Sequence, residues 1–303
     1  MPDRKRYHVP FSGYSGIRIG SFDPNTHQIP VGDKVKGKTF AQFISEKEEI
    51  EKLKGGTFFD DPIVAISMDP ADIKVENNHL VFKGVASSYF RFAFSRSQPT
   101  SLQAAYVNAV VLTKPDETGE KIVFGSSTKA EGAYLGKLGV PAGGLLISPD
   151  GHPSFGAQIY RELGEEIGVN HDLDISRIIP GWAIGASKRE GTYHPTFSFV
   201  VQLNTDGKQT KEKYEDWRAT QKKAKNEPEF GKNLRLLPND PDYMMRFIKE
   251  QDAMDAGTAN IQGKSLDVID FWVYRYGCDI SKLKASQAEG SKIELPQPSI
   301  SDL

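Results

Sequence analysis

Three glutamates crowd one short stretch of this chain, Arg161-Glu162-Leu163-Gly164-Glu165-Glu166-Ile167-Gly168-Val169. On a helix, residues three and four apart share a face. Glu162, Glu165 and Glu166 then stand side by side, while Ile159, Leu163 and Ile167 form an apolar stripe. Like charges at that spacing repel and weaken a helix. A cation relieves the repulsion. Hard divalent ions such as magnesium take oxygen ligands and bridge carboxylates to a substrate phosphate. The chemistry on offer is therefore metal-assisted work on a phosphate. The ordinary alternative for such a run is a solvated helix face.

The order of the residues says more than their charge. Arginine, glutamate, apolar, any, glutamate, glutamate, any, glycine, apolar matches the second half of the Nudix box at every defined position. Upstream, Val140-Pro141-Ala142-Gly143-Gly144 resembles the glycine turn that opens that box. The chain thus resembles the Nudix hydrolases. It departs from the pattern twice. Pro153 stands where the box has its first glutamate, and the loop over 145–152 is about three residues longer than the pattern allows. In the family that glutamate mainly braces loop and helix, and the later glutamates hold the metal.

The resemblance implies an α+β fold, a Nudix α/β/α sandwich on a mixed β-sheet, here preceded by a smaller N-terminal α+β domain. It implies Glu162, Glu165 and Glu166 as ligands of Mg2+ or Mn2+, one of them assisting as base. The Gly144 carbonyl is a further ligand, and Arg161 orients the glutamates through charge-assisted bonds. The implied reaction is metal-dependent hydrolysis of the diphosphate that joins a nucleoside to another group. Water attacks phosphorus and the metal neutralises developing charge. The Val140–Gly143 turn leans weakly toward ADP-ribose or sugar-nucleotide substrates. The competing reading is a non-catalytic Nudix-fold module that binds or senses a nucleotide, motivated by Pro153 and the longer loop.

Several elements must position this stretch. Ser154 can cap the N-terminus of its helix, and Gly168 fits a left-handed C-terminal cap. Gly164 inside the helix costs about 0.8–1 kcal/mol against alanine, which close packing would explain. Strand-like runs at 105–112, 122–125, 175–186 and 196–203 surround it. Trp182, Tyr193, His194 and Phe199 are candidates to line a base pocket, with Trp182 and His194 as substrate contacts. Stacking on an aromatic ring is the physical reason, and core packing is the alternative. The polar stretch 204–233 reads as a mobile loop with a helix, or a lid. It carries Glu212, Glu215, Asp216, Glu227 and Glu229, any of which could add a carboxylate. Two amphipathic helices follow, near 240–248 and 265–276.

Residues 1–100 read as an accessory domain, 101–283 as the Nudix domain and 284–303 as a disordered tail. In the first, Thr39 and Gln42 form a capping box and Gly55-Gly56 closes the helix. Runs at 62–68, 73–75, 79–83 and 89–95 read as strands, with Asn77-Asn78 turning a hairpin. His8, His27 and His79 show no metal-ligand spacing. An addition of this kind is compatible with a homodimer.

Composition fits a globular enzyme, with 38% hydrophobic and 26% charged residues in a chain of 303. A net charge of −2 argues for neither nucleic acid nor membrane as partner. A single cysteine excludes an internal disulfide. The basic N-terminus lacks the apolar stretch of a secretory signal. No apolar run reaches the length of a membrane span. Cytoplasmic placement is the resulting expectation.

Overall fold

The computed structural model describes residues 7–8, 11–12, 14–25, 29–53, 60, 62–95, 98, 100–126, 136–147, 151–184, 186–187, 194–224, 230, 234–254 and 259–289. The chain begins with β1 (Tyr7–His8), β2 (Phe11–Ser12), β3 (Gly16–Asp23), α1 (Phe40–Leu53) and β4 (Pro62–Ser67). It continues through β5 (Lys74–Glu76), β6 (His79–Ser88), α2 (Tyr89–Ser95), β7 (Leu102–Ala104), β8 (Tyr106–Leu112) and β9 (Lys121–Ser126). Next come β10 (Leu138–Gly139), β11 (Ala142–Gly144), α3 (Phe155–Ile167), α4 (His171–Asp174), β12 (Ile175–Ile184) and β13 (Ala186–Ser187). The chain closes with β14 (Thr196–Leu203), α5 (Gly207–Lys223), β15 (Arg235–Pro238), α6 (Pro241–Asp252), α7 (Gly263–Tyr276) and α8 (Ile280–Glu289).

β8 and β14 form the spine. They run parallel, from Tyr106 opposite Thr196 to Leu112 opposite Gln202. Both read as nearly unbroken apolar runs because both faces of the sheet are covered. The sheet order is β10-β9-β8-β14-β12-β2, with β11 also on β8 and β15 on β9. The remaining pairings in it are antiparallel, so the sheet is mixed. Alternation splits its side chains between two cores. Val107, Ala109, Phe197 and Phe199 face α3 through Ile159 and Leu163. Val110, Leu112 and Val200 face Met244 of α6, Leu266 and Ile269 of α7 and Leu283 of α8. Helices on both faces of a mixed sheet make the α/β/α sandwich that the sequence leads one to expect.

A second sheet, ordered β3-β6-β4-β7 with β5 on β6, is built from residues 16–104. It shares the α3-side core, since Val64, Ile66, Leu80 and Phe82 pack with Val107, Phe155 and Phe197. The backbone joins the two parts as well. Val64 N–H donates to Leu145 O at 2.8 Å, Leu145 N–H to Ala105 O at 2.8 Å, and Ala105 N–H to Val64 O at 3.0 Å. The strand β4 therefore clasps the chain immediately after the glycine turn.

Local signals explain the ends of several elements. Thr39 Oγ1 and Gln42 close the capping box of α1, while Gly55 and Gly56 lie outside the described residues. Asn77 and Asn78 take φ of 50° and 60° and turn β5 into β6. Tyr89–Ser95 corrects the strand expectation: it is the helix α2. Its alternating YFRFAFS pattern also puts Phe90 and Phe94 four residues apart. Both rings meet Phe43 of α1, at 6.2 and 5.6 Å between centroids. Asp60 Oδ1 accepts from Phe90 N–H at 2.8 Å and caps the first turn. The stretch from Lys284, read as tail, continues α8 to Glu289.

Among the described residues, no helix is long and apolar enough to cross a membrane. Cys278 is buried. Burial pushes its thiol up to about 12, with the charges of Asp240 and Glu120 adding to the effect. Thiolate is the reactive form. Iodoacetamide at pH 8 should therefore label the native protein on the order of 10³-fold more slowly than the unfolded chain, as mass spectrometry would read.

Candidate active site at the glycine turn

α3 carries the charged stretch and has firm ends. Ser154 Oγ accepts from Ala157 N–H at 3.3 Å. Gly168 takes φ 69°, and Val169 N–H returns to Leu163 O at 3.1 Å. Phe155, Ile159, Leu163 and Ile167 are buried against the sheet. That packing fixes the rotation of the helix and so the direction of its glutamates.

Glu162 and Glu166, one turn apart, are 5% and 3% exposed, which removes both from the solvated-face reading. Each is tied to its surroundings. Ala142 N–H donates to Glu166 Oε2 at 2.9 Å. Arg161 Nη2 donates to Glu162 Oε1 at 2.9 Å, and the Gln158 amide donates to the same oxygen. Glu165 lies on the outer side of the cluster, with a side chain 59% exposed and Arg161 Nη1 at 3.9 Å. Arg161 thus sits between two of the glutamates, as an orienting cation would.

The turn Ala142–Gly144 is β11, paired to β8 with Gly144 opposite Tyr106. It lies directly on Glu162. A Cβ placed on Gly143 would fall 2.1 Å from Glu162 Oε1 and 2.6 Å from Oε2. Glycine is required there by proximity. Gly143→Ala is accordingly expected to displace the Glu162 carboxylate. The strain should cost about 1–3 kcal/mol. If the cluster takes up Mn2+, its affinity should drop roughly 10–100-fold, as when a group supporting a metal ligand is removed. Thermal unfolding and metal titration check the two effects.

Among the described residues, no three His, Cys, Asp or Glu side chains converge on one ion. The donor chemistry nevertheless suits a hard divalent cation: two buried carboxylates, a third one turn away, and a backbone turn with no side chain between. Glu165 must swing inward for the set to close.

The other candidate residues fall elsewhere. Trp182 is 1% exposed and faces the opposite core. It packs on Phe271, Trp272 and Tyr276 at 5.1, 6.2 and 5.6 Å. Its place on β12 with α7 above it corrects the base-stacking expectation, because a sealed indole offers no face to a ligand. Phe199 is likewise core, and Tyr193 lies outside the described residues. His194 is 8% exposed. Its ring lies 4.6 Å from Tyr106 and 5.1 Å from Phe92. It stands behind Tyr106, which itself borders Gly144.

The polar stretch after β14 forms α5, opened by a capping box of Asp206 and Gln209. Tyr214 is buried, and its hydroxyl donates to Phe230 O at 3.1 Å. Lys213 pairs with Asp174. Trp217 covers Gly168, where a Cβ would fall 2.3 Å from the indole. The helix expected in this stretch is present over 207–223, and these contacts seat it on the C-terminal end of α3. Glu212, Glu215 and Asp216 are exposed on it, and Glu227 and Glu229 lie outside the described residues. Sequence reasoning missed Gln158, which carries no charge and occupies an undefined position of the motif. Its spacing, four residues before Glu162, was the available signal.

No family model and no curated protein matches this chain. Solved structures do. A mutT/nudix family protein from Listeria innocua shares 16% identity over 55% of this chain and 89% of its own, with a TM-score of 0.35. NrtR of Shewanella oneidensis, also solved with a 27mer DNA, shares 14% over 55% of this chain and 61% of its own, at 0.32. A bifunctional NMN adenylyltransferase/ADP ribose pyrophosphatase from Francisella tularensis, complexed with AMP and a manganese ion, shares 12% over 58% of this chain and 42% of its own, at 0.32. These likenesses assign no role to any residue here. The box does more, standing in this chain as strand, glycine turn and capped helix between two cores. The chain has the mixed-sheet α/β/α layers and the helix-borne glutamates that its resemblance to the Nudix family leads one to expect. Glu162 and Glu166 meet the glycine turn, and Pro153 stands where the Nudix box has its first glutamate.

Proposed function

We propose that this protein is a divalent-metal-dependent Nudix hydrolase that cleaves the diphosphate bond of a nucleoside diphosphate linked to another group. One observation carries the reading. Glu162 and Glu166 are buried together on α3 against the Ala142–Gly144 turn, a concentration of carboxylate oxygens beside a backbone turn that suits a hard divalent cation. Glu162, Glu165, Glu166 and the Gly144 carbonyl would hold Mg2+ or Mn2+. The bound ion would supply charge neutralisation on the diphosphate. Arg161 aims Glu162 through a charge-assisted bond. Substrates of the ADP-ribose or sugar-nucleotide type remain a weak preference, drawn from the turn sequence Val140–Gly143.

The alternative, a nucleotide-binding or regulatory module without turnover, draws on the same bonds. Glu162 and Glu166 already have protein donors.

The deciding experiment is phosphate release, through a coupled phosphatase, from a panel of nucleoside diphosphate derivatives with Mg2+ or Mn2+. The Glu165→Gln, Glu166→Gln double variant is the control. Turnover of one class, absent in the control, supports the hydrolase. Stabilisation by a nucleotide without turnover supports the binding module.

A further inference from the structure

We infer that Gln158 is a positioning residue that locks the Glu162 carboxylate to the loop following the glycine turn; this deepens the hydrolase reading and rests on it. Gln158 is 4% exposed. Both ends of its amide are used. Its Oε1 accepts from Leu146 N–H at 3.1 Å, and its Nε2 donates to Glu162 Oε1. Gln158 and Glu162 are four residues apart on α3, so their side chains meet on one face.

The chemistry selects glutamine. The position needs an acceptor toward the backbone and a donor toward a carboxylate, and only a primary amide offers both at this length. Ile147, the residue after Leu146, bridges to Pro153, which carries no N–H and no polar side chain. Leu146 in turn follows Leu145, which β4 clasps by backbone bonds. A chain of contacts therefore runs from the second sheet through Leu145 and Leu146 to Gln158 and Glu162. Groups that orient a ligand are worth about 10–100-fold in metal affinity.

The test compares Gln158→Ala and Gln158→Met in the full chain. Methionine restores the buried volume and neither hydrogen bond. Mn2+ binding is titrated without substrate, and amide exchange is followed at Leu146 in the metal-free protein. Both variants should bind Mn2+ about 10–100-fold more weakly and should exchange Leu146 faster. The Mn2+ concentration for half-maximal turnover should rise by the same factor. Wild-type affinity in the methionine variant would overturn the inference, because packing alone would then explain the residue. Unchanged exchange at Leu146 would also overturn it. A wild-type protein that takes up no Mn2+ would remove the hydrolase reading and the positioning role with it. The exchange result would then report only whether the brace exists.

Discussion

If Glu166 holds the metal as proposed, Glu166→Gln should lose at least about 10-fold in turnover, since removing a ligand cannot cost less than removing the group that supports one. Glu166 is buried and accepts from Ala142 N–H. Glutamine keeps the size and one acceptor oxygen but gives up the charge. Its amide can still receive the Ala142 N–H, so the turn should stay in place. Metal affinity is what should fail. Glu165→Gln separates function from folding even more cleanly. Its side chain faces solvent, and surface substitutions of that kind stay within about 0.5 kcal/mol in stability. Most turnover should nevertheless disappear with it. Parallel measurements of kcat, Mn2+ binding and thermal midpoint on the two variants check this pair. Wild-type turnover in both would end the metal-site assignment.

What could be read from sequence divides by the range of the interaction. The caps of α3 were legible because Ser154 and Gly168 act on their own helix. The Asn77-Asn78 turn was legible for the same reason. The strands β8 and β14 showed themselves as largely apolar runs. Tyr89–Ser95 misled because alternation and four-residue spacing coexist in it, and only Phe43 of α1 and the Asp60 cap decide for helix. Trp182 misled for a related reason: an aromatic residue on a strand does not declare which face it occupies. In the candidate site, the motif fixed which glutamates lie on the helix. Which of them are buried depends on the glycine turn arriving from β11, a long-range event. Gln158 depends on it too, since its partner Leu146 belongs to the arriving loop.

Phe197→Ala should cost about 3–5 kcal/mol, the usual range for emptying a buried phenylalanine site. That is a large part of the roughly 5–15 kcal/mol that holds a domain folded. Phe197 on β14 is fully buried. Its ring meets Phe82 of β6 at 5.3 Å and Phe155, the first residue of α3, at 4.7 Å. One side chain thus touches the second sheet, the central sheet and the helix that carries the box. The position also discriminates between two views of residues 1–100. If they form an accessory domain that folds by itself, β6 should keep its stability when the central sheet loses its own. If the shared core makes one cooperative unit, both should fall together. The tryptophans, Trp182, Trp217 and Trp272, all lie in the C-terminal two thirds of the chain, so fluorescence follows that part. Amide exchange along His79–Ser88 follows the other. We expect one transition and equal destabilisation by both probes, because, among the described residues, Val64, Leu80 and Phe82 pack in one core with Val107 and Phe197. A loss confined to the tryptophan signal would instead place a folding boundary near residue 100. The β4 clasp on Leu145 would then be a docking contact between two units.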